Sequence, residues 1–379
     1  MTPQPFSPSA TPAARRTRLA GRAQVVMRAV LLRRRARTAS IAPERVLIAH
    51  HLLLGDTLML TPLLKKLRAL HPRADIAMTV PARIAPLYAT QPYGVRALPF
   101  DPRHSHAALF AEAPFDLALV PGDNRYAWLA AAMRARFIVA FAGDRPAAKS
   151  WQVDRLLPYP DAPAAWGDLV AQLIDGEPPA PYRTSEWRAP AVDAFEAPVP
   201  PYAVLHVGAS SPLKQWPAER WRSLAAQLDD RGITPVWSAG AGETALVDAA
   251  DPRRRYRSLA GRLDLAQLWH VLAQARLLVA PDTGIAHLGR IIGVPTVALF
   301  GPGSAVLCGA GDFWRDAPYR AVTVEPFPCR DQRVLFKRDV DWVRRCGRSV
   351  GECPKHLCMS AIHVAAVVAA ADGLIEESA

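Results

Sequence analysis

Four short segments of this chain carry residues able to bind or move charge. In the first, His206-Val207-Gly208-Ala209-Ser210-Ser211 leads to Lys214, Trp216 and Pro217. A small, hydroxyl-bearing loop after a strand suits an oxyanion such as phosphate. Backbone N–H groups and the Ser210 and Ser211 hydroxyls can donate, and Lys214 adds a point charge. An ordinary surface loop has the same composition, and the GxxxxGK[ST] pattern of a Walker loop is absent.

The second segment is Asp282-Thr283-Gly284-Ile285-Ala286-His287. Gly284 bares the backbone at a helix start, where unpaired N–H groups and the dipole favour an anion. His287, one turn in, could face a phosphate or pack in a core; Asp282 and Thr283 could be a plain cap. In the third, Gly240-Ala241-Gly242-Glu243, a carboxylate at a strand end could accept from ribose hydroxyls. The fourth is Leu54-Gly55-Asp56-Thr57, with Asp56 at or near a helix N-cap and Gly55 allowing a tight turn. Capping alone explains that one locally.

These segments need a scaffold, and the hydrophobic pattern supplies one. Apolar runs at 46–49, 75–80, 95–100, 116–120 and 137–141 read as strands. Residues 57–70 and 125–134 read as helices, and 83–90 as a loop or helix. After a proline-punctuated stretch at 177–201, the alternation restarts. Strands are expected at 202–207, 234–238, 277–280 and 296–300, with helices at 217–230, 265–275 and 284–292. The fold class expected is α/β, with two doubly wound Rossmann-like domains facing across a cleft. An N-terminal domain covers 45–190, a proline-rich linker 191–201 and a nucleotide-binding domain 202–379. Each chemistry-bearing segment then falls after a strand, where open parallel sheets bind ligands.

With half its residues apolar, the chain can build large cores. Its net charge of +12 is concentrated near the start: residues 1–43 hold nine arginines and no acidic residue, leaving about +3 elsewhere. Residues 1–12 are expected to be disordered. Residues 19–37 could form a helix with Val25, Val26, Val30 and Leu31 among arginines. That reads either as a solvated basic tail or as an interfacial helix drawn to anionic lipid. Nucleic acid is a poor partner, because no aromatic residues interleave the arginines. A spanning helix and a cleaved secretory signal both fit badly. Cys329, Cys346, Cys353 and Cys358 have 16, 6 and 4 residues between them, unlike a compact zinc ribbon. Free thiols fit best, with a zinc site or disulfides as alternatives. A reducing compartment is expected.

Taken in order, these segments resemble glycosyltransferase family 9, the lipopolysaccharide heptosyltransferase family. The resemblance runs through RVLIAHHLLLGDTLMLTPLL, HVGASSPLKQWPAERW, WSAGAGE, the long stretch from SLAGRLDL through APDTGIAHLGRIIGVPTVALFGP, and ECPKHLCMSAI. It covers residues 45–370 and departs at His50-His51-Leu52-Leu53 and in an apparent insertion at 327–351. It implies an inverting GT-B enzyme using ADP-heptose or a similar donor. On that resemblance, Asp56 is the catalytic base. Ser210, Ser211, Lys214, Thr283, Gly284 and His287 bind the donor diphosphate, while Glu243 and Asp282 contact the nucleotide. Lys214 and the helix at Gly284 would neutralise the leaving diphosphate, so no metal cofactor is expected, and no DxD motif occupies a suitable loop. The implied partners are a nucleotide-diphosphate sugar and a lipid-linked glycan acceptor. The implied location is the cytoplasm, peripheral to the inner face of the membrane. A GT-B enzyme for another sugar and a non-catalytic nucleotide-sugar-binding protein are the alternatives. A Rossmann dehydrogenase ranks last, since no GxGxxG follows the first strand.

Overall fold

The computed structural model describes residues 12–377 except 34, 37, 104 and 105, and side chains from residue 21 onward. Residues 1–11, expected to lack order, lie outside the described residues. The chain divides into two compact units. Among the described residues, one takes in those up to Ala180 together with Arg333–Trp342; the other comprises Pro181–Gln332 and those from Val343 onward.

The first unit is built on six parallel strands: β1 (Arg45–Ile48), β2 (Asp75–Val80), β3 (Val95–Pro99), β4 (Phe115–Val120), β5 (Ala135–Phe141) and β6 (Arg155–Leu157). Their order is β3-β2-β1-β4-β5-β6. Helices cover both faces, so β1, β2 and β4 read as nearly continuous apolar runs, and most of their residues are buried. The helix expected over 57–70 is broken into Leu54–Leu58 and Thr61–Leu70. Pro62 has no N–H for the Leu58 carbonyl, and the Thr61 hydroxyl donates to it instead, at 2.6 Å.

The second unit repeats the plan. It contains β7 (Tyr202–His206), β8 (Thr234–Ser238), β9 (Arg257–Ser258), β10 (Leu277–Pro281), β11 (Thr296–Phe300) and β12 (Tyr319–Thr323). The order β12-β11-β10-β7-β8-β9 is the same winding read from the other edge. Two such Rossmann-type units in one chain are the components of the GT-B fold. The closing helix Val364–Glu377 packs Val367, Ala371 and Leu374 into the second core, beside Trp221 and Val297.

Three parts of the chain are placed differently from their sequence expectation. The division falls at Ala180, ahead of the 191–201 stretch. Residues 181–201 pack on the second unit: Tyr182 Oη donates to Ile291 O (2.8 Å), and the His270 ring bonds Pro190 O (2.8 Å). The basic N-terminal segment is not a detached tail from residue 21 onward. It belongs to the helix Pro12–Leu32, which sets Val25 and Ala29 against the alanine-rich helix Tyr126–Ala132. Within the 327–351 insertion, residues 333–342 return to the first unit as a hairpin of β13 (Val334–Leu335) and β14 (Arg338–Asp339).

Candidate functional site

In the second unit, β7 and β10 are adjacent parallel strands at the point where the winding reverses. Loops leaving their carboxyl ends therefore border a crevice that the connections cannot fill. The loop after β7 runs through Gly208 to a single turn, Pro212–Lys214, capped by Ser211 Oγ accepting from Leu213 N at 3.3 Å. That turn aims Lys214 at the end of β10. Its Nζ donates to Asp282 Oδ2 (2.8 Å) and to the Asp282 carbonyl (2.7 Å), closing the two loops across 68 residues of sequence.

Thr283 is the N-cap of the helix Gly284–Ile292, with extended backbone and no side-chain capping bond. Its Oγ1 is buried and without a hydrogen-bond partner among the described residues. A buried unsatisfied hydroxyl costs about 1–3 kcal/mol, so the position invites a ligand atom. The first N–H groups of this helix have no acceptor one turn back, which favours an anion at the same place.

His287 is buried within that helix, its Nδ1 accepting from the Arg290 guanidinium and its Nε2 lying 4.0 Å from Asp282 Oδ1. Burial, then Arg290 and Lys214, push its pKa well below the usual histidine value. Arginine only donates, so the ring is neutral with its hydrogen on Nε2, facing the carboxylate. Such a histidine supplies no positive charge. Arg290 is itself buried, with its guanidinium over the rings of Trp314 (4.7 Å) and Tyr319 (4.8 Å).

Glu243 ties a second pair of loops. Its Oε1 accepts from Ala209 N and its Oε2 from Gly240 N, both at 2.8 Å. A Cβ at Gly208 or Gly240 would overlap that carboxylate and push it out of these bonds. The oxygens keep lone pairs for a further donor. Ser210 is exposed on the same loop.

Asp56 belongs to the other unit. The N-cap of its helix is Leu53, and Asp56 is the third helical residue, in the first turn, where the dipole stabilises a carboxylate. In the loop before that helix, His50 is wholly buried, and its Nδ1 accepts from Leu52 N at 3.2 Å. Burial pushes its pKa down to about 3, so it is neutral.

The family model for glycosyltransferase family 9 (heptosyltransferase) matches residues 103–320, more than half of the chain. The chain belongs to glycosyltransferase family 9. Among curated relatives it is 33% identical to lipopolysaccharide heptosyltransferase 1 of Pseudomonas aeruginosa over 199 residues, 46% of this chain and 54% of the relative. The chain thus spans about half the length of that relative. In backbone it is similar to Escherichia coli ADP-heptose lps heptosyltransferase II, with a TM-score of 0.65, 20% identity and coverage of 89% of this chain and 100% of that one. It is also similar to E. coli heptosyltransferase WaaC with ADP, with a TM-score of 0.58, 22% identity and coverage of 73% and 92%.

For this family 9 member, the structure brings Lys214, Asp282, Thr283, Gly284 and His287 into one cluster, and joins Glu243 to the Gly208–Ala209 turn. The matched stretch begins after Asp56. Sequence reading missed Arg290, though its place one turn beyond His287 on the same helix was a usable signal. It also missed Gly303, where a Cβ would collide with the Asp282 carboxylate. Cys329, Cys346, Cys353 and Cys358 are all free thiols. Burial raises Cys329 and takes Cys358 up to about 11. Among the described residues, no group of three or more potential ligands is arranged to hold a metal.

Proposed function

We propose that this chain is an inverting, metal-independent glycosyltransferase that moves a heptose or closely related sugar from an ADP-sugar onto a lipopolysaccharide-type acceptor. The observation that carries the reading is the Lys214–Asp282 bridge beside the unpartnered Thr283 hydroxyl, at the switch point of a family 9 fold. The relatives' names supply the sugar and the acceptor class.

In this reading the diphosphate lies against the amino end of the Gly284–Ile292 helix. Thr283 Oγ1 and the first N–H groups donate to it. Lys214 has three donors, so it keeps its bond to Asp282 while turning another to a phosphate oxygen. Asp282 acts through Lys214, since a bare carboxylate against a diphosphate would repel it. Glu243 keeps its loops in register and accepts from the ribose. Asp56 takes the proton from the acceptor hydroxyl as that oxygen bonds to the anomeric carbon. The bond from that carbon to the diphosphate breaks, and ADP departs with the electron pair. The work takes place on the cytoplasmic side of the inner membrane.

The test is to follow ADP release and anomeric configuration with ADP-heptose and truncated lipopolysaccharide core. Asp56→Ala is expected to lower turnover by about 100-fold or more while ADP affinity holds. Lys214→Ala is expected to weaken ADP by about 10-fold and to slow transfer with it. Near-normal turnover without the Asp56 carboxylate would remove the base. Unchanged ADP affinity without Lys214 would remove the diphosphate site.

A further inference from the structure

From residue 21 onward the helix Pro12–Leu32 has two apolar faces, and among the described residues only one is packed against the protein. Val25 and Ala29 pack into the core of the first unit, and the Arg28 guanidinium lies over the Phe110 ring at 4.2 Å. On the other side Val26, Met27, Val30 and Leu31 are 43%, 57%, 65% and 71% exposed. Their i, i+1, i+4, i+5 spacing puts them on one outward face. A surface helix normally turns charge to solvent there. Here Arg28 is turned aside onto Phe110, and exposed arginines stand before and after the apolar stripe.

Arg22 is exposed one turn before the stripe. Past the helix end, Arg35 stays half exposed (51%) while donating to Trp151 O at 2.6 Å and standing 3.8 Å from Asp154. Trp151 beside it is 67% exposed. Arg33, by contrast, is turned inward, bonding the Asp154 carboxylate and the Ala135 and Gln152 carbonyls. The neighbourhood therefore offers a short apolar stripe, an exposed tryptophan and flanking arginines, within a 43-residue segment that holds no acidic residue.

We propose that this face seats the protein on an anionic phospholipid surface. Apolar side chains enter the acyl boundary, Trp151 sits at headgroup level, and the arginines meet lipid phosphates. Charge selects this occupant. A second copy related by a two-fold axis would set Arg22 and Arg35 against arginines of the same patch. Among the described residues, no helix is long and apolar enough to cross a membrane, so the helix lies on the bilayer. Resting on the function proposed above, such seating would hold the transferase where a lipid-linked acceptor is found. The docking itself needs no turnover.

The experiment is vesicle cosedimentation of the whole chain without substrates, with thermal midpoint and ADP binding measured alongside. Vesicles are phosphatidylcholine alone, or phosphatidylcholine with about one-third phosphatidylglycerol, at low and high salt. The chain is expected to partition about 10-fold or more in favour of the anionic vesicles, and less at high salt. Val30→Glu with Leu31→Glu is expected to lose that binding while melting and ADP affinity stay the same, because both side chains already face outward. Arg22→Gln is expected to weaken it about 5-fold, the loss of one near-surface charge. Equal partition to both vesicles, or full binding by the double variant, would overturn the proposal. So would a dimer in solution that the double variant breaks, with no vesicle bound by the parent chain.

Discussion

Arg338 anchors the late hairpin on the first unit, and its removal has a size that can be worked out. Its side chain is 2% exposed. It donates to Ala142 O (2.8 Å), Gly122 O (3.0 Å), Asn124 Oδ1 (2.6 Å) and Phe141 O (3.2 Å), and lies 3.7 Å from the buried Asp144. Arg338→Ala would not strand Asp144, which keeps Lys149 Nζ at 2.8 Å and Asn124 N at 2.7 Å. Phe141 O likewise keeps Asn124 Nδ2 at 2.9 Å. Four acceptors, however, lose a charged donor: the carbonyls of Ala142, Gly122 and Phe336 (3.1 Å) and Asn124 Oδ1. Breaking a buried ion pair costs about 3–5 kcal/mol, and the surviving Lys149 contact points to the lower end, about 3 kcal/mol. Arg338→Lys, a shorter reach with fewer donors, is expected to recover part of it. Urea unfolding reads the stability, and amide hydrogen exchange over residues 333–342 reads the local undocking. A Cβ built on Gly122 would lie 3.0 Å from Leu52 and 3.7 Å from Phe336, so the hairpin abuts the loop that leads to Asp56. Turnover is therefore expected to fall while ADP affinity, a property of the other unit, stays constant. A loss below about 1 kcal/mol with unchanged exchange would refute the reasoning.

Two further outcomes follow from buried groups. Thr283→Val removes a buried hydroxyl with no partner, so the free protein is expected to gain about 1 kcal/mol in a melting experiment while ADP binds more weakly; weaker melting with unchanged ADP binding would contradict this. Burial lowers His206 to about 4, so its native ring stays neutral where the unfolded chain takes up a proton. Its contribution is whole above the unfolded value near 6.5 and is lost as pH falls toward 4, at about 1.4 kcal/mol per pH unit. His206→Gln, which can still reach Ser238, is expected to flatten urea stability between pH 6.5 and about 4.5 relative to the parent chain. Parallel curves for the two proteins would rule this out.

Much of the fold could be read from the sequence because central parallel strands are buried on both faces. The runs at β1, β4, β7, β10 and β11 leave little choice, and the glycine-bearing turns after them mark where a ligand approaches. Of the four edge strands, only β3 was legible. Arg155–Leu157, Arg257–Ser258 and Tyr319–Thr323 are short or half exposed and carry no apolar pattern, so their pairing comes from the sheet beside them. The site divides in the same way. Residue types alone marked Lys214, Asp282, Thr283 and Glu243 for charge and backbone contact. That Lys214 is bonded to Asp282 and that Glu243 reaches Ala209 are consequences of strands that meet from far apart in sequence, whereas the neighbours of His287 are local and it is burial that makes its ring neutral. Arg338 in its local sequence resembles any surface arginine, and only tertiary packing buries it. Local sequence sets periodicity and the inventory of chemical groups. Burial, and with it charge state and partner, depends on which distant segments close over a residue, and tertiary structure decides that.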